Sequence, residues 1–238
     1  MSEDIGEWLE NLPVWRRDFK KQTKKVLKCL VSEHGFSWQG TTTLLRVHAD
    51  VAHMIVFEPG SVPHCNVAVQ PLYRPFRAIA LTLGNRLVDL ARAPGAKVRK
   101  VPWENGRPDD NRQTLEEMLL IIKETVLPWF DTIGSPTGLV EYLERRAGRE
   151  IPPRVTEDQR LMHLGYAHLY LGDYESGIQA LQTVIDSWRR SSHFEEWFQK
   201  DVQQMEELCD LARHEPHEVS VKLREYVNYT KSEIGIRE

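Results

Sequence analysis

The sequence predicts an α+β fold, in which a small, mainly antiparallel sheet flanked by helices precedes an all-α helical bundle. Three observations predict this fold class. Short segments rich in Val, Ile, Thr and Leu are concentrated in residues 42–83. Amphipathic helical patterns precede and follow them, and beyond residues 148–154, which contain two adjacent prolines, only helical patterns remain. We therefore predict an α+β domain over residues 1–150 and an all-α helical segment over residues 151–238.

The first element is predicted to be a helix over residues 13–34. Pro13 suits a first helical turn, and Gly35 followed by Phe36 is typical of a C-terminal cap with its hydrophobic contact. Basic residues occupy one side of this helix. The apolar side, which should pack on the rest of the domain, consists of Phe19, Thr23, Val26, Leu27, Leu30 and Val31.

The strand region is divided by turn residues into short segments. The predicted strands cover residues 42–48, 51–58, 66–73 and 78–83, with a weaker one at 97–103. Connections this short favour antiparallel pairing, because a parallel return needs a crossover of roughly a dozen residues or more. A two-residue turn at Ala49-Asp50 would place Arg46 opposite His53, with His48 on the same side of the sheet.

A second long helix is predicted after the strands. Thr114 and Glu117 fit a capping box at its start, and Pro128 is expected to kink or end it. Ser135-Pro136 should begin another short helix that ends near residue 146. Beyond the predicted boundary, Thr156 begins a second capping box, and the expected helices cover residues 156–170, 174–190, 193–213 and 216–231.

Residues 164–186 predict two short helices joined at Gly172, and this segment resembles one helical hairpin of the tetratricopeptide family. The matching positions are Leu164, Gly165, Gly172, Tyr174, Gly177, Leu181 and Val184. The resemblance implies a packing or protein-binding unit without catalytic activity. One repeat length further on, about 34 residues, Phe198-Gln199 replaces the Leu-Gly pair, so one tetratricopeptide-like hairpin is predicted and not an array. The hairpin either packs on the rest of the protein or forms a binding groove.

Residues 15–145 also resemble an uncharacterised bacterial α+β domain family of unknown function. The resemblance rests on a leading helix, on Gly35-Phe36 before the strands, on Arg46 in an early strand and on the amphipathic helix from Thr114. Residues 70–73 and 84–86 add to it. It implies a fold and no activity.

Composition limits the function classes. Residues 1–150 contain 21 Lys and Arg against 19 Asp and Glu, whereas residues 151–238 contain 10 against 16. The net charge of -4 is unlike that of most nucleic-acid-binding proteins, which are basic. There is no long apolar run and no signal-peptide pattern, so no membrane partner is expected. Three widely separated cysteines, Cys29, Cys65 and Cys209, favour a reducing cytoplasm.

Two groups of residues are candidate binding sites. The first helix carries a basic face of Arg17, Lys20, Lys21, Lys24 and Lys28, joined by Arg16 and Lys25. Such a face is either a solvated surface, a contact for phosphates or an acidic partner, or the docking site of the acidic C-terminal half. The second group is a candidate anion patch on the sheet, formed by Arg46, His53, Arg74 and Arg77.

Metal and catalytic sites are not predicted. His48, His53, His64 and Cys65 lie on or beside neighbouring strands, yet Arg46 among them and the absence of tight Cys/His spacing disfavour zinc. The sequence has no Gly-x-Ser-x-Gly elbow and no glycine-rich phosphate loop, and no cofactor is expected.

The function expected from the sequence is that of a non-catalytic cytoplasmic protein that binds another protein. The first alternative is anion or nucleic-acid binding through the basic helix. The second is an enzyme that works from the sheet face of Arg46 and His53. The sequence predicts no oligomeric state.

Overall fold

The computed structural model describes residues 3–58, 64–81, 83–92, 108–145, 155–190 and 196–236. Its strands are β1 (Ser37–Gln39), β2 (Thr43–His48), β3 (Val51–Glu58), β4 (His64–Pro71) and β5 (Leu83–Arg86). The helices of the first part are α1 (Glu3–Val26), α2 (Lys28–His34), α3 (Leu87–Arg92), α4 (Pro108–Ile121), α5 (Leu127–Ile133) and α6 (Pro136–Glu144). Those that follow are α7 (Glu157–Leu171), α8 (Tyr174–Arg190), α9 (Glu196–His214) and α10 (Pro216–Glu233). The fold is α+β, with a sheet followed by a helical region, as the sequence predicts.

The five strands form one sheet in which strand order equals sequence order. Every neighbouring pair is antiparallel, which confirms the predicted pairing. Ala49 and Asp50 both adopt positive φ, 46° and 58°, so they form the two-residue turn that suits the twist of a hairpin. Arg46 then lies opposite His53, as predicted.

The edges of the sheet differ from the prediction. The fourth predicted strand, at residues 78–83, is wrong, because residues 78–81 form no strand and β5 starts only at Leu83. The buried amide of Gln70 accounts for the shift, since it accepts from the Ala80 N–H at 2.8 Å and donates to the Ala78 carbonyl at 3.3 Å. These bonds replace strand pairing in that segment. The three-residue strand β1 is not predicted from the sequence. The predicted strand at 97–103 lies outside the described residues.

The first helix is longer than predicted. It begins at Glu3, so Pro13 lies inside α1 and not in its first turn. The helix is interrupted at Leu27 and ends at Gly35, which has a φ of 70° and whose N–H donates to the Leu30 carbonyl. The predicted cap at Gly35 is therefore confirmed. Val31, predicted on the apolar side, is exposed.

The helix predicted from Thr114 also begins earlier, at Pro108. Thr114 is a buried residue within α4, so the predicted capping box is wrong. Pro128 does not end the helix, because a π-helical turn over residues 122–126 joins α4 to α5. Proline has no N–H to donate to the carbonyl four residues earlier, and the wider π-turn accommodates this loss. Leu127 N–H donates to the Ile122 carbonyl, five residues back.

The later helices begin and end close to their predicted positions. Ser135 caps α6 by accepting from the Gly138 N–H at 3.1 Å. Thr156 and Gln159 form the predicted capping box at the start of α7. Gly172 ends α7 in the left-handed region, with a φ of 83°. Local sequence signals are therefore sufficient to predict where these helices begin and end.

Buried residues from the sheet and from all parts of the described helical region belong to one hydrophobic cluster. The predicted boundary at 150/151 lies in residues 146–154, outside the described residues, and the division into two domains stays a prediction. None of the helices in the described residues combines the length and the apolar character needed to cross a membrane.

Candidate functional site

Arg46 and His53 are in direct contact across the β2–β3 hairpin. The Arg46 Nε–H donates to His53 Nδ1 at 2.9 Å. Because Nδ1 is then the acceptor, the neutral ring carries its proton on Nε2, which lies 3.1 Å from the Gly134 carbonyl oxygen and donates to it. The His53 ring stacks on Phe130 with centroids 4.8 Å apart. The hairpin is thereby fastened to the junction between α5 and α6.

The guanidinium of Arg46 is directed at protein acceptors. Besides His53, it donates to the His34 carbonyl and to the Asp131 carboxylate, each at 3.2 Å. It also lies over the Phe36 ring at 5.0 Å. Three of the five N–H groups of this cation therefore donate within the protein, which reduces its capacity to bind an external anion.

Burial lowers the pKa of His53 to about 4, and this effect exceeds the opposing effect of the hydrogen bond to Gly134. The positive charge of Arg46 lowers the pKa further. His53 is therefore neutral at physiological pH. A neutral imidazole held between a cation and a carbonyl group serves as a structural connector.

The other two members of the predicted anion patch lie elsewhere. Arg74 follows β4, and its guanidinium faces Asp201 of α9 at 3.5 Å and the Phe76 ring at 4.6 Å. Arg77 is exposed to solvent. The structure thus brings Arg46 and His53 together and gives Arg74 and Arg77 other surroundings.

The histidines and the cysteine that were candidates for a zinc site also have different surroundings. His48 shares the Gly134 carbonyl with His53, at 3.2 Å. His64 is exposed on β4, whereas Cys65 beside it is buried and burial raises the pKa of its thiol. Across the described residues, no group of three or more His, Cys, Asp or Glu side chains is arranged to hold a metal ion.

The basic side of the first helix is a continuous exposed surface, which we call the cationic face. All of its members are exposed: Arg16, Arg17, Lys20, Lys21, Lys24, Lys25 and Lys28. They form two rows at four-residue spacing, from Arg16 to Lys28 and from Arg17 to Lys25, with a step of about 6 Å along the helix. The opposite side of α1 is buried at Phe19 and Thr23. The orientation of the face is therefore fixed by the core.

The described residues of the acidic C-terminal half do not cover the cationic face, because its side chains are exposed. Within the part of the chain that the structure describes, no ion pair reaches a residue of this face. Two carboxylates of the helical region pair within that region, Glu206 with Arg189 and Glu207 with Lys222. The exposure of all seven side chains therefore gives no support to the alternative in which the acidic half docks on this face.

The hairpin of α7 and α8 packs through two glycines. A Cβ on Gly165 would lie 2.5 Å from Leu181 Cδ2, and one on Gly177 would lie 2.6 Å from Leu169 Cδ2. The absence of side chains at both positions is what allows the helices to approach. All residues from 162 to 167 are buried, so α7 is enclosed by its neighbours and presents no open groove there.

Asp50, at the tip of the β2–β3 turn, connects the sheet to the helical region. Its carboxylate accepts from the Tyr170 hydroxyl at 2.8 Å and from Arg224 at 3.2 Å, and Lys231 lies 3.2 Å away. Tyr170 also stacks on Tyr73 with centroids 4.5 Å apart. These contacts, which we call the Asp50 cluster, join α7 and α10 to the sheet.

Replacing Asp50 by Ala should lower the free energy of unfolding by about 2 kcal/mol. The variant loses charge-assisted hydrogen bonds and places a residue without a polar side chain in the left-handed region. Asp50→Asn tolerates that backbone conformation and still accepts from Tyr170, so about 1 kcal/mol is expected. Urea denaturation measures both, with exposed Asp186→Ala as the control. Equal losses for Ala and Asn would show that the charge carries the whole effect.

No protein-family model matches the sequence, and no curated protein or solved structure matches it either. The likeness to a tetratricopeptide hairpin and to a bacterial domain family therefore stays a prediction. Function has to be argued from the surfaces and clusters of this chain.

The sequence analysis assigns several residues of these clusters to no site. Asp50 could have been predicted from the sequence. Asp suits the backbone conformation of a two-residue hairpin turn, and its carboxylate remains free to form hydrogen bonds or ion pairs. Asp131 and Gly134 carried none, since each is more than 80 residues away from the hairpin residue that it contacts.

Proposed function

We propose that this protein is a non-catalytic cytoplasmic protein that binds an acidic surface of another protein through its cationic face. The observation that carries the proposal is the exposure of all seven Lys and Arg side chains on one side of α1 and α2. Charges arranged in this way raise the association rate with an oppositely charged partner and select against partners of the same charge. The three free cysteines support the cytoplasm as the compartment.

A binding role is favoured over catalysis by the use that the protein makes of its titratable groups. Arg46 and His53, the pair considered for an enzyme, hydrogen-bond to each other and to backbone carbonyls. A general base needs to reach a proton on a substrate, and a histidine that is 1% exposed and stacked on Phe130 is poorly placed to do so.

The α7–α8 hairpin is part of the folded scaffold and is not the proposed binding surface. In the other alternative that the sequence left open, a partner would occupy a groove of this hairpin. Since residues 162–167 of α7 are all buried, and since Tyr170 is engaged with Asp50, that helix is already in contact with the rest of the chain. The exposed side of α8 is formed by polar residues, among them Glu175, Gln179 and Asp186.

Nucleic acid is the second candidate partner, because exposed Lys and Arg side chains also neutralise phosphates. Two observations favour a protein. The chain is acidic overall, with a net charge of -4, whereas proteins that bind nucleic acid are more often basic. Trp38, an aromatic residue beside the face, has its ring centroid 5.8 Å from Lys24 Nζ and is only partly exposed, so it offers a poor platform for stacking bases.

Reversing three charges of the cationic face tests the proposal. The variant Lys20→Glu/Lys24→Glu/Lys28→Glu should fold normally, because all three side chains are exposed. We expect it to bind a fluorescent polyglutamate peptide at least about tenfold more weakly than the wild-type protein, and the wild-type affinity should fall as salt is raised. Fluorescence anisotropy at two salt concentrations gives both quantities.

The matched control is Lys123→Glu/Arg190→Glu/Lys200→Glu, which makes the same change in net charge at exposed positions outside the face. It should bind the peptide nearly as tightly as the wild-type protein does. Equal weakening by both variants would show a general charge effect and refute the proposal. If duplex or single-stranded DNA of similar length binds more tightly than polyglutamate at physiological salt, the second candidate replaces the first.

A further inference from the structure

The cationic face repeats with the period of an α-helix. Its seven side chains form two neighbouring rows, and each row places a positive charge at steps of about 6 Å. Acidic residues do not interrupt the rows, because Asp18 is the only one between Arg16 and Lys28. The Asp18 carboxylate accepts from Asn111 at 3.0 Å and from Gln22 at 3.5 Å, so it is engaged beside the face. A partner therefore meets a regular array of positive charges.

An exposed valine lies at each end of this array. Val14 precedes Arg17 by three residues in α1, and Val31 follows Lys28 by three residues in α2, so each valine is a surface neighbour of a cation at that end. Val14 is 57% exposed, the largest fraction for a large apolar side chain in the described residues, and Val31 is 37% exposed. Apolar side chains of a protein partner can cover these two residues, which favours a protein as the occupant of the face.

An α-helix is the acidic element that matches both rows. Carboxylates four residues apart on a helix repeat at the same step of about 6 Å, and positions three and four residues apart supply two neighbouring rows on one side. An extended chain repeats every second side chain at about 6.6 Å and presents a single row to one side. It drifts by about 2 Å over three steps and leaves the other row of cations without partners.

We propose that the cationic face binds an acidic amphipathic α-helix, with Asp or Glu in two rows at four-residue spacing and an apolar residue toward each end. The inference rests on the proposed function and deepens it, because it names the structural class of the acidic surface. The apolar ends cover Val14 and Val31 and so fix the register of the helix. Carboxylates alone would leave the register undefined, since a shift of one turn restores the same charge pairs.

Three fluorescent peptides test the proposal by anisotropy at physiological salt. The first is an alanine-rich helix with glutamates in two rows at four-residue spacing and a leucine at each end. The second contains the same residues redistributed around a helix of equal helicity by circular dichroism. The third has the order of the first, with proline at two central alanines to prevent helix formation. We expect the first peptide to bind at least about tenfold more tightly than the other two. Equal affinities of the first and second peptides, or of the first and third, would overturn the proposal.

Two variants of the protein test whether the peptide contacts both rows. Lys20→Gln/Lys24→Gln removes two charges from one row, and Lys21→Gln/Lys25→Gln removes two from the other. All four side chains are exposed, so both variants should fold normally. A helix seated on both rows should bind either variant several-fold more weakly. Loss of affinity in one variant alone would indicate contact with a single row and contradict the proposed geometry.

The ends of the face have a separate test. Val14→Ser/Val31→Ser should weaken binding of the first peptide several-fold and leave polyglutamate binding unchanged, because polyglutamate has no apolar ends. Val47→Ser/Val221→Ser, at exposed positions outside the face, is the control and should bind the first peptide as the wild-type protein does. Unchanged affinity of Val14→Ser/Val31→Ser for the first peptide would refute the proposed register and the amphipathic helix with it.

The outcomes distinguish this inference from the proposed function. If polyglutamate binds and the two helical peptides bind equally, the inference fails and the proposed function stands. If none of the acidic peptides binds, both fail. Sedimentation velocity at low salt tests a second copy of this chain as the occupant. Self-association of the wild-type protein that Lys20→Glu/Lys24→Glu/Lys28→Glu abolishes would assign the face to that copy and overturn the inference.

Discussion

Lowering the pH from 7 to 4 should reduce the free energy of unfolding by about 3 kcal/mol through His53 alone. The pKa of His53 is about 4 in the folded protein against 6.5 for an ordinary histidine. Between these values the unfolded chain binds a proton that the folded protein does not. Stability rises with pH wherever the unfolded state holds more protons. The contribution of neutral His53 to stability is therefore fully present above pH 6.5 and declines as the pH falls toward 4.

His163 should add to this loss in the same direction, because burial lowers its pKa as well. Urea denaturation at successive pH values measures the slope. His53→Gln retains a hydrogen-bonding side chain but does not titrate, and it should flatten the slope between pH 6.5 and about 4. His217→Gln, whose side chain is 76% exposed, is the control and should leave the slope unchanged. A slope that His53→Gln does not alter would contradict the burial of a neutral imidazole.

Gly134→Ala should cost about 3 kcal/mol, at the upper end of what overpacking usually costs. A Cβ on Gly134 would overlap the His53 ring and the carbonyl oxygen of Phe130. The ring is enclosed by Phe130 and Arg46, and the oxygen belongs to the backbone of α5, so neither can move aside without disturbing other contacts. The same change would disrupt the hydrogen bonds of His48 and His53 to the Gly134 carbonyl.

Gly172→Ala separates this steric effect from the effect of backbone conformation. Gly172 has a φ of 83° and nothing lies within 4 Å of the added Cβ, so only the cost of the left-handed region remains, about 1 kcal/mol. Both variants are measured by urea denaturation at pH 7, where His53 is neutral. If Gly134→Ala costs no more than Gly172→Ala, the junction between α5 and α6 is looser than the structure shows.

Local signals predict much of this fold. The register of β2 and β3 follows from alternation along the strands and from a two-residue turn, and these signals predict that Arg46 lies opposite His53. The caps at Gly35, Thr156 and Gly172 depend on residues only a few positions away. Signals of this range need no knowledge of the tertiary structure.

The wrong helix start at Thr114 has a long-range cause. Asn111 donates to the Asp18 carboxylate of α1 at 3.0 Å, and Thr114 is buried, so packing on α1 extends α4 beyond the capping box. Tertiary contacts override a local cap in this way when the extra turn gains a buried surface.

The site predictions also depend on how far apart in the sequence the contacting residues lie. The contact between Arg46 and His53 could be predicted, because seven residues and one turn separate them. The contact of Arg74 with Asp201 could not, because these residues are 127 positions apart and their approach depends on how α9 packs against the end of β4. Burial decides the protonation of His53 and His163, and burial is a property of the tertiary structure.

The close packing of α7 and α8 also constrains how this sequence can change over evolution. Gly165 contacts Leu181, and Gly177 contacts Leu169, so the two pairs are placed symmetrically about Asp173, eight and four residues from it. A larger residue at either glycine fits only if its leucine becomes smaller. Related sequences should therefore show each glycine and its leucine changing together, and the two pairs should vary independently of the cationic face.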